Sequence, residues 1–429
     1  MTITDVVALG VSASIGVSIF SVFSPAASLA GPAVLAALAL ALVPMCVFLV
    51  VYSVLAAVAP ASGSSFVWPT RFVHPYLGFI VAWLRLLAFA GAANIMASVF
   101  FGYLSEVASV PRLPVMLGLL TAFSAINYVG VGLTGKANRA LVGAKLVAIM
   151  GFIALGLPNV RWTNFFPFAP HGTLGVLATL PLLAGLFGGI ESAAEIGDEI
   201  RNTRATAPRG MALAVLISFV VYAGTAVIII GVLGAPAAAA GSAPLALAAS
   251  KLIGGPVALY SIVAIALISI AAALNTLILI TSRFLFAMGR DGVLPTVLGR
   301  IHPITGTPHV AIVTTYALGL LSFLLPSSLV FLFLAANAPT VLKYGSNCVA
   351  AIRMVNKHPA LLAAAALKLG PRAIKLWACA GIACAVGILA AGLATDLYAN
   401  MLLAAWAALG SIYWALRTGR ISRNSAVDC

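Results

Sequence analysis

The residues best equipped for chemistry lie between Pro181 and Arg209, in PLLAGLFGGIESAAEIGDEIRNTRATAPR. The stretch is apolar at first and carries Gly185, Gly188 and Gly189. Glu191 and Glu195 follow, and then a charged run of Asp198, Glu199, Arg201, Arg204 and Arg209. The whole chain has nine acidic residues, and four of them fall between Glu191 and Glu199. A helix that breaks at glycines inside a bilayer frees amide and carbonyl groups, which protein, water or a ligand must satisfy. Freed amides at a half-helix N-terminus suit a carboxylate, and freed carbonyls suit an ammonium. A site with both features matches a zwitterion.

The elements that must position these residues follow from composition. The chain has 429 residues, 63% of them hydrophobic and only 7% charged, with a mean hydropathy of +1.15. Soluble domains carry roughly 25% charged residues, so this is a polytopic membrane protein. A net charge of +14 then reads as positive charge gathered on loops, not as a nucleic-acid footprint. The five cysteines (Cys46, Cys348, Cys379, Cys384, Cys429) have no metal-ligand spacing, and all but Cys429 sit in apolar runs. No disulfide framework is expected. The first apolar run lacks a basic leader and reads as a retained span.

A spanning helix needs about 20 apolar residues. Such runs occur at roughly 5–29, 32–58, 76–105, 113–131, 139–158, 175–197, 208–234, 255–287, 309–326, 328–353, 373–395 and 397–416, twelve in all. Seventeen of the 23 basic residues then fall on one side, and only Arg112, Arg161 and Lys251 on the other. Arg85, Lys145 and Lys343 remain within spans. This asymmetry puts both termini in the cytoplasm.

The first span crowds Ser12, Ser14, Gly16 and Ser18 into one short stretch. Small residues there serve either close helix packing or a second break. Spans one and six are an odd number of crossings apart, so they run in opposite directions. Two five-span units would then be inverted repeats with their breaks facing each other. The expected division is 1–158, 159–354 and a remainder of 355–429 holding spans eleven and twelve.

Several motifs, in order, carry a family resemblance. Ile15-Gly16-Val17-Ser18-Ile19-Phe20 is similar to a G-x-G-I-F segment, with Ser18 in place of the second glycine. PASGSSFVWPTRFVHPYLGFIVAW (Pro60 to Trp83) resembles the loop leading into span three. Phe187-Gly188-Gly189-Ile190-Glu191 resembles F-x-G-x-E. Asp198-Glu199-Ile200-Arg201-Asn202 and Ala207-Pro208-Arg209 resemble the tail E-E-x-x-N-P…P-R, with Thr203 where proline is usual. SRFLFAMGRDGVLP (Ser282 to Pro295), His302-Pro303 and Gly306-Thr307-Pro308 match most specifically. Together they resemble the amino acid–polyamine–organocation transporter superfamily, bacterial amino-acid permeases in particular. The resemblance implies an all-α, leucine-transporter-like fold of twelve transmembrane helices, a 5+5 inverted repeat plus two additional helices, with substrate cradled by unwound parts of spans one and six.

By that resemblance, Ser14, Ile15, Gly16, Val17 and Ser18 would bind a substrate carboxylate. Phe187, Gly188 and Gly189 would line the amine and side-chain side. Glu191 has two readings: proton sensing or gating, as intramembrane carboxylates often serve, or accepting hydrogen bonds from unwound backbone. Glu195, Asp198 and Glu199 are expected at the cytoplasmic mouth, paired with Arg201 or Arg204. Lys145, one and a half to two turns from Asn138 and Arg139, either snorkels or, as in sodium-independent relatives with a pattern like Phe152 and Gly156, stands where a cation sits in sodium-coupled ones. Desolvation makes the charged form of a buried amine costly, so Lys145 could lose and regain a proton. Arg85 either binds a substrate carboxylate or ties span three to carbonyls. Lys343 sits beside Tyr344 and after Pro339. Ser269, Asn275 and Thr276 could face spans one and five, and Asn275 is counted with the substrate-binding set. The five histidines lie in loops or near span ends, and no phosphate-binding glycine loop is present.

The expectation is therefore a secondary transporter of the cell membrane, moving an amino acid together with protons and needing no cofactor. Its expected partners are the substrate, protons and the lipid bilayer. Exchange of one substrate for another, polyamine exchange and transport of another organic anion stay open. A channel fits the paired breaks less well, and an enzyme or receptor would need a catalytic cluster or soluble domain.

Overall fold

The computed structural model describes residues 2–61, 64–129, 134–189, 191, 194, 200, 203–240, 243–324, 328–365, 369–395 and 397–425. Among them there is no β-strand. The charged run Glu195, Asp198, Glu199, Arg201 and Asn202 lies outside the described residues, as do the side chains of Asn138 and Arg139.

The chain begins with a helix in pieces: α1 (Ile3–Ser14), α2 (Ser18–Ser21) and α3 (Phe23–Ala30). α4 (Val34–Val58) follows, then a short α5 (Ser64–Phe72) and the long α6 (Pro75–Ser105). α7 (Arg112–Val129) and α8 (Thr134–Gly156) lead to the second interrupted element, α9 (Gly172–Ala184). Beyond it come α10 (Thr203–Leu233), the small α11 (Ala235–Ala240) and α12 (Pro244–Ile253), and then α13 (Gly255–Arg290). α14 (His309–Ser322), α15 (Leu329–Lys357), α16 (Pro359–Ala364), α17 (Pro371–Thr395) and α18 (Leu397–Ser425) complete the described chain.

Among the described residues, eight helices are long and apolar enough to cross a membrane. They are Ile3–Ser21, Phe23–Val58, Pro75–Ser105, Arg112–Val129, Thr203–Leu233, Tyr260–Arg290, Pro371–Leu393 and Leu397–Arg417. Gly143–Asn159, Gly172–Phe187 and His309–Ser322 are shorter apolar helices. α15 adds 29 residues with Lys343 buried at its middle. Large apolar residues such as Val43, Leu216, Leu376 and Leu409 face outward, which suits a hydrocarbon solvent. The protein is an all-helical, polytopic membrane protein.

Lipid gives two apolar helices little reason to associate, so close packing must do it, and small residues permit the approach. A methyl on Gly91 of α6 would stand 3.0 Å from the Ala336 amide nitrogen and 3.1 Å from the Leu332 carbonyl oxygen of α15. These two helices therefore touch backbone to backbone. α10 packs against α1, where Gly210 faces Val6, and against α8, where Gly224 faces Ile153. Loose helix ends are closed by side chains, because water is not there to do so. Asn94 on α6 donates to the Ser322 carbonyl at the end of α14 (2.6 Å), and Trp68 donates to the Ala59 carbonyl that follows α4 (2.8 Å).

α18 is joined to α6 by a reciprocal clasp. Trp83 Nε1 donates to the Trp406 carbonyl (2.8 Å) and Trp406 Nε1 to the Trp83 carbonyl (3.0 Å). The two indoles stack at 4.9 Å with planes 16° apart.

Candidate functional site

The first break falls where α1 ends at Ser14. Ile15 leaves the helical region (φ −82°, ψ 63°), and the Gly16 amide turns back onto the Ser14 carbonyl at 2.9 Å. Helix resumes at Ser18, while Val17 keeps helical angles. Gly16 presses against α13, because a methyl there would lie 3.3 Å from Ala273 Cβ. Lys145, half-buried on α8, donates its ammonium to the Ile15 carbonyl. A carbonyl that left its helical ladder has thus found a cationic donor from another helix.

The second break begins as α9 tightens into a short 3-10 turn, Gly185–Phe187. Gly188 is extended (φ −62°, ψ 140°), and Gly189 has φ +94°. L side chains rarely adopt that conformation. Space also demands glycine at 189, since a methyl would lie 2.6 Å from Ala13 Cβ. The two breaks therefore meet at Ala13 and Gly189. Ending a helix frees carbonyls, and two of them are served by one side chain: Asn337 on α15 donates to the Pro181 (3.1 Å) and Leu182 (3.3 Å) carbonyls.

Glu191 closes the other side of this break. Its carboxylate accepts from the Gly189 amide at 3.0 Å and from the Tyr344 hydroxyl at 2.8 Å. It also forms an ion pair with Lys343. The carboxylate and the lysine are both buried, with Lys343 only 1% exposed. Aromatic side chains surround the pair. Phe48 stacks on Tyr344 at 4.8 Å, Tyr52 meets it edge-on at 5.6 Å, and Lys343 lies 4.7 Å from the centre of the Tyr344 ring. Tyr52 in turn accepts from Asn347 at 2.6 Å. A narrow cleft opens beside the pair, walled by Met45, Phe48 and Tyr52 of α4, Phe187 of the second break, Met211 of α10 and Tyr344.

The breaks are also bonded to each other. Ser14 Oγ donates to the Leu186 carbonyl at 2.8 Å. Tyr222 on α10 directs its hydroxyl at the Ser14 carbonyl (2.6 Å), with the Leu186 carbonyl at 3.2 Å. Phe187 packs edge-on against the Tyr222 ring at 5.9 Å.

Ser14, Ile15, Gly16, Phe187, Gly188, Gly189, Lys145 and Glu191 thus share one region, with Val17 and Ser18 continuing the first break. Arg85 and Asn275 contact α13 and α7 respectively, and Arg85 also acts electrostatically on Tyr344. Arg85 lies 5.4 Å over the Phe284 ring of α13. Asn275 accepts at its carboxamide oxygen from Asn127 of α7 at 2.7 Å, while its neighbour Ala273 is what touches Gly16. Two residues of the region, Tyr222 and Asn337, escape sequence reasoning, as does the pairing of Lys343 with Glu191. Their only signal is polarity within apolar helices.

A family model for amino acid permeases matches residues 2–414. A branched-chain amino acid permease of Lactococcus lactis is 28% identical over 346 residues, covering 73% of this chain and 74% of that protein. A branched-chain amino acid permease of Bacillus subtilis is 26% identical over 402 residues, covering 88% and 83%. The methylthioribose transporter of Bacillus subtilis is 26% identical over 387 residues, covering 84% and 82%. With a match over nearly its full length, the chain belongs to the amino acid permease family, and is a multi-pass membrane transporter rather than an enzyme.

Proposed function

We propose that this permease is a secondary active transporter that carries an amino acid inward together with protons, by alternating access around the two breaks. The observation that carries the reading is the Lys145 ammonium on the Ile15 carbonyl, which couples a titratable group directly to the unwound backbone. A proton lost from Lys145 weakens its hold on Ile15 and frees the first break to move. Glu191 gates the second break through its bonds to Gly189, Lys343 and Tyr344.

In this reading the polypeptide crosses the cell membrane twelve times with both termini in the cytoplasm, as seventeen basic residues against three on the two sides support. The units are 1–158, 159–354 and 355–429, the first two being inverted five-span repeats. Ser14 to Ser18 receive the substrate carboxylate, and Phe187 to Gly189 the amine and side chain. The apolar character of Ile15, Val17 and Phe187, all buried, and the branched-chain permeases among the relatives support a small aliphatic amino acid. The methylthioribose transporter, with similar identity and coverage, makes a thioether sugar the second reading.

The test is uptake into proteoliposomes of labelled leucine, isoleucine, valine and methylthioribose. Each is measured with and without an inward proton gradient, and with and without sodium. Stimulation by protons, indifference to sodium, and loss of that stimulation in Lys145→Ala are expected. Uptake confined to liposomes preloaded with substrate would make the protein an exchanger and remove the coupling role of Lys145.

A further inference from the structure

We infer that Lys343 is the second-repeat counterpart of Lys145, a positioning residue that holds the second break through Glu191 as an adaptor; this rests on the five-plus-five reading above. Lys145 lies on the fifth span of the first unit and reaches the break in that unit's first span. Lys343 lies on the fifth span of the second unit and reaches, through Glu191, the break in that unit's first span. Each interrupted helix is thus held by a lysine from its own repeat.

Chemistry explains why one lysine acts directly and the other does not. An ammonium has three donors and no acceptor. The first break offers a carbonyl, Ile15, which a lysine can grip unaided. The second has its freed carbonyls met by Asn337 and leaves an amide hydrogen, Gly189, which a lysine cannot grip. A carboxylate between them solves the mismatch, accepting from Gly189 on one side and from Lys343 on the other. Tyr344 supplies a further donor to the same Glu191 oxygen that Gly189 uses. α15 therefore serves both halves of the break, through Asn337 for the freed carbonyls and Lys343 for the freed amide.

Glu191 and Lys343 then act as one unit, and losing half of it is worse than losing both charges. In Lys343→Met the buried Glu191 carboxylate loses its lysine, and in Glu191→Gln the buried ammonium loses this carboxylate. Breaking a buried pair from one side is strongly unfavourable. In the double variant the glutamine carbonyl still accepts from Gly189 and Tyr344, and no charge is stranded.

The test is substrate KM and maximal rate in proteoliposomes for Lys343→Met, Glu191→Gln and the double variant, together with thermal midpoints of the purified proteins. The expected result is a rise of about tenfold or more in KM for each single variant and recovery in the double. Should the single variants not fold, the double must still fold and transport. A double variant no better than the worse single, or single variants with unchanged KM, would overturn the inference. If the wild type transports none of the amino acids or methylthioribose, the transport reading fails instead, while the thermal midpoints still report whether the pair acts as a unit.

Discussion

Gly185→Ala should harm this protein only because of Asn337. Gly185 has φ −68° and ψ −20°, angles any residue adopts, so the backbone accepts alanine and its lower flexibility favours the fold by roughly 0.5–1 kcal/mol. The added methyl, however, would stand 2.1 Å from Asn337 Oδ1, 2.2 Å from Nδ2 and 2.3 Å from Cγ. Comfortable contacts lie near 3.5–4.0 Å, so the carboxamide must retreat by more than an ångström. Its bonds to the Pro181 and Leu182 carbonyls start at 3.1 and 3.3 Å, close to the useful limit, and both are lost. At about 0.5–1.5 kcal/mol each, the loss is about 1–3 kcal/mol. The net penalty is about 0–2.5 kcal/mol, up to a factor of roughly 70 in the equilibrium. Asn337→Ala loses the same two bonds and clears the space. Adding Gly185→Ala to Asn337→Ala should then be neutral or stabilising. Thermal midpoints in detergent and substrate KM in proteoliposomes, measured for the four members of this cycle, check the sign. A penalty of equal size in both backgrounds would refute the reasoning.

Other substitutions address the contact between the breaks. Tyr222→Phe removes the hydroxyl aimed at the Ser14 carbonyl and should weaken the site by about 1 kcal/mol, read as a roughly fivefold rise in KM; an unchanged KM would count against it. Ser14→Ala combined with Tyr222→Phe should be non-additive, because both hydroxyls lie within bonding distance of the Leu186 carbonyl. Gly189→Ala should abolish uptake while the protein still reaches the membrane. Adding Ala13→Gly should recover little of it, since that removes the clash but not the strain of a positive φ. Arg85→Ala should change KM far less than Lys145→Ala does, as uptake titrations would show.

The breaks themselves are readable from sequence because the residues that permit them are local. Gly185, Gly188 and Gly189 crowd one apolar run, Gly16 lies among serines, and each break falls within a residue or two of these positions. What holds the breaks is not local. Lys343 and Glu191 are 152 residues apart, and nothing in either neighbourhood selects the other. Tyr222 and Asn337 stand in apolar helices where a tyrosine or asparagine has many uses, and only the position of the freed carbonyls reveals theirs. Asn275 is a similar case. Polarity at the right depth points to the substrate region, while its bond from Asn127 depends on how α13 packs against α7, which no local pattern reveals. Glu191 had two sequence readings, and its bond to the Gly189 amide gives physical form to the structural one without removing the gating one.

The Trp83–Trp406 clasp joins helices from opposite ends of the chain. The two indoles are 323 residues apart, so α6 leaves the ribosome long before α18 exists. Until α18 docks, the Trp83 indole N–H lacks its carbonyl, and in hydrocarbon an unmet donor is expensive. The same holds for Trp406 when it emerges. Each tryptophan is an open bond that only the other's backbone closes, and the stacked rings require the two helices to meet at one height. The clasp thereby ties the depth and orientation of α18 to those of α6.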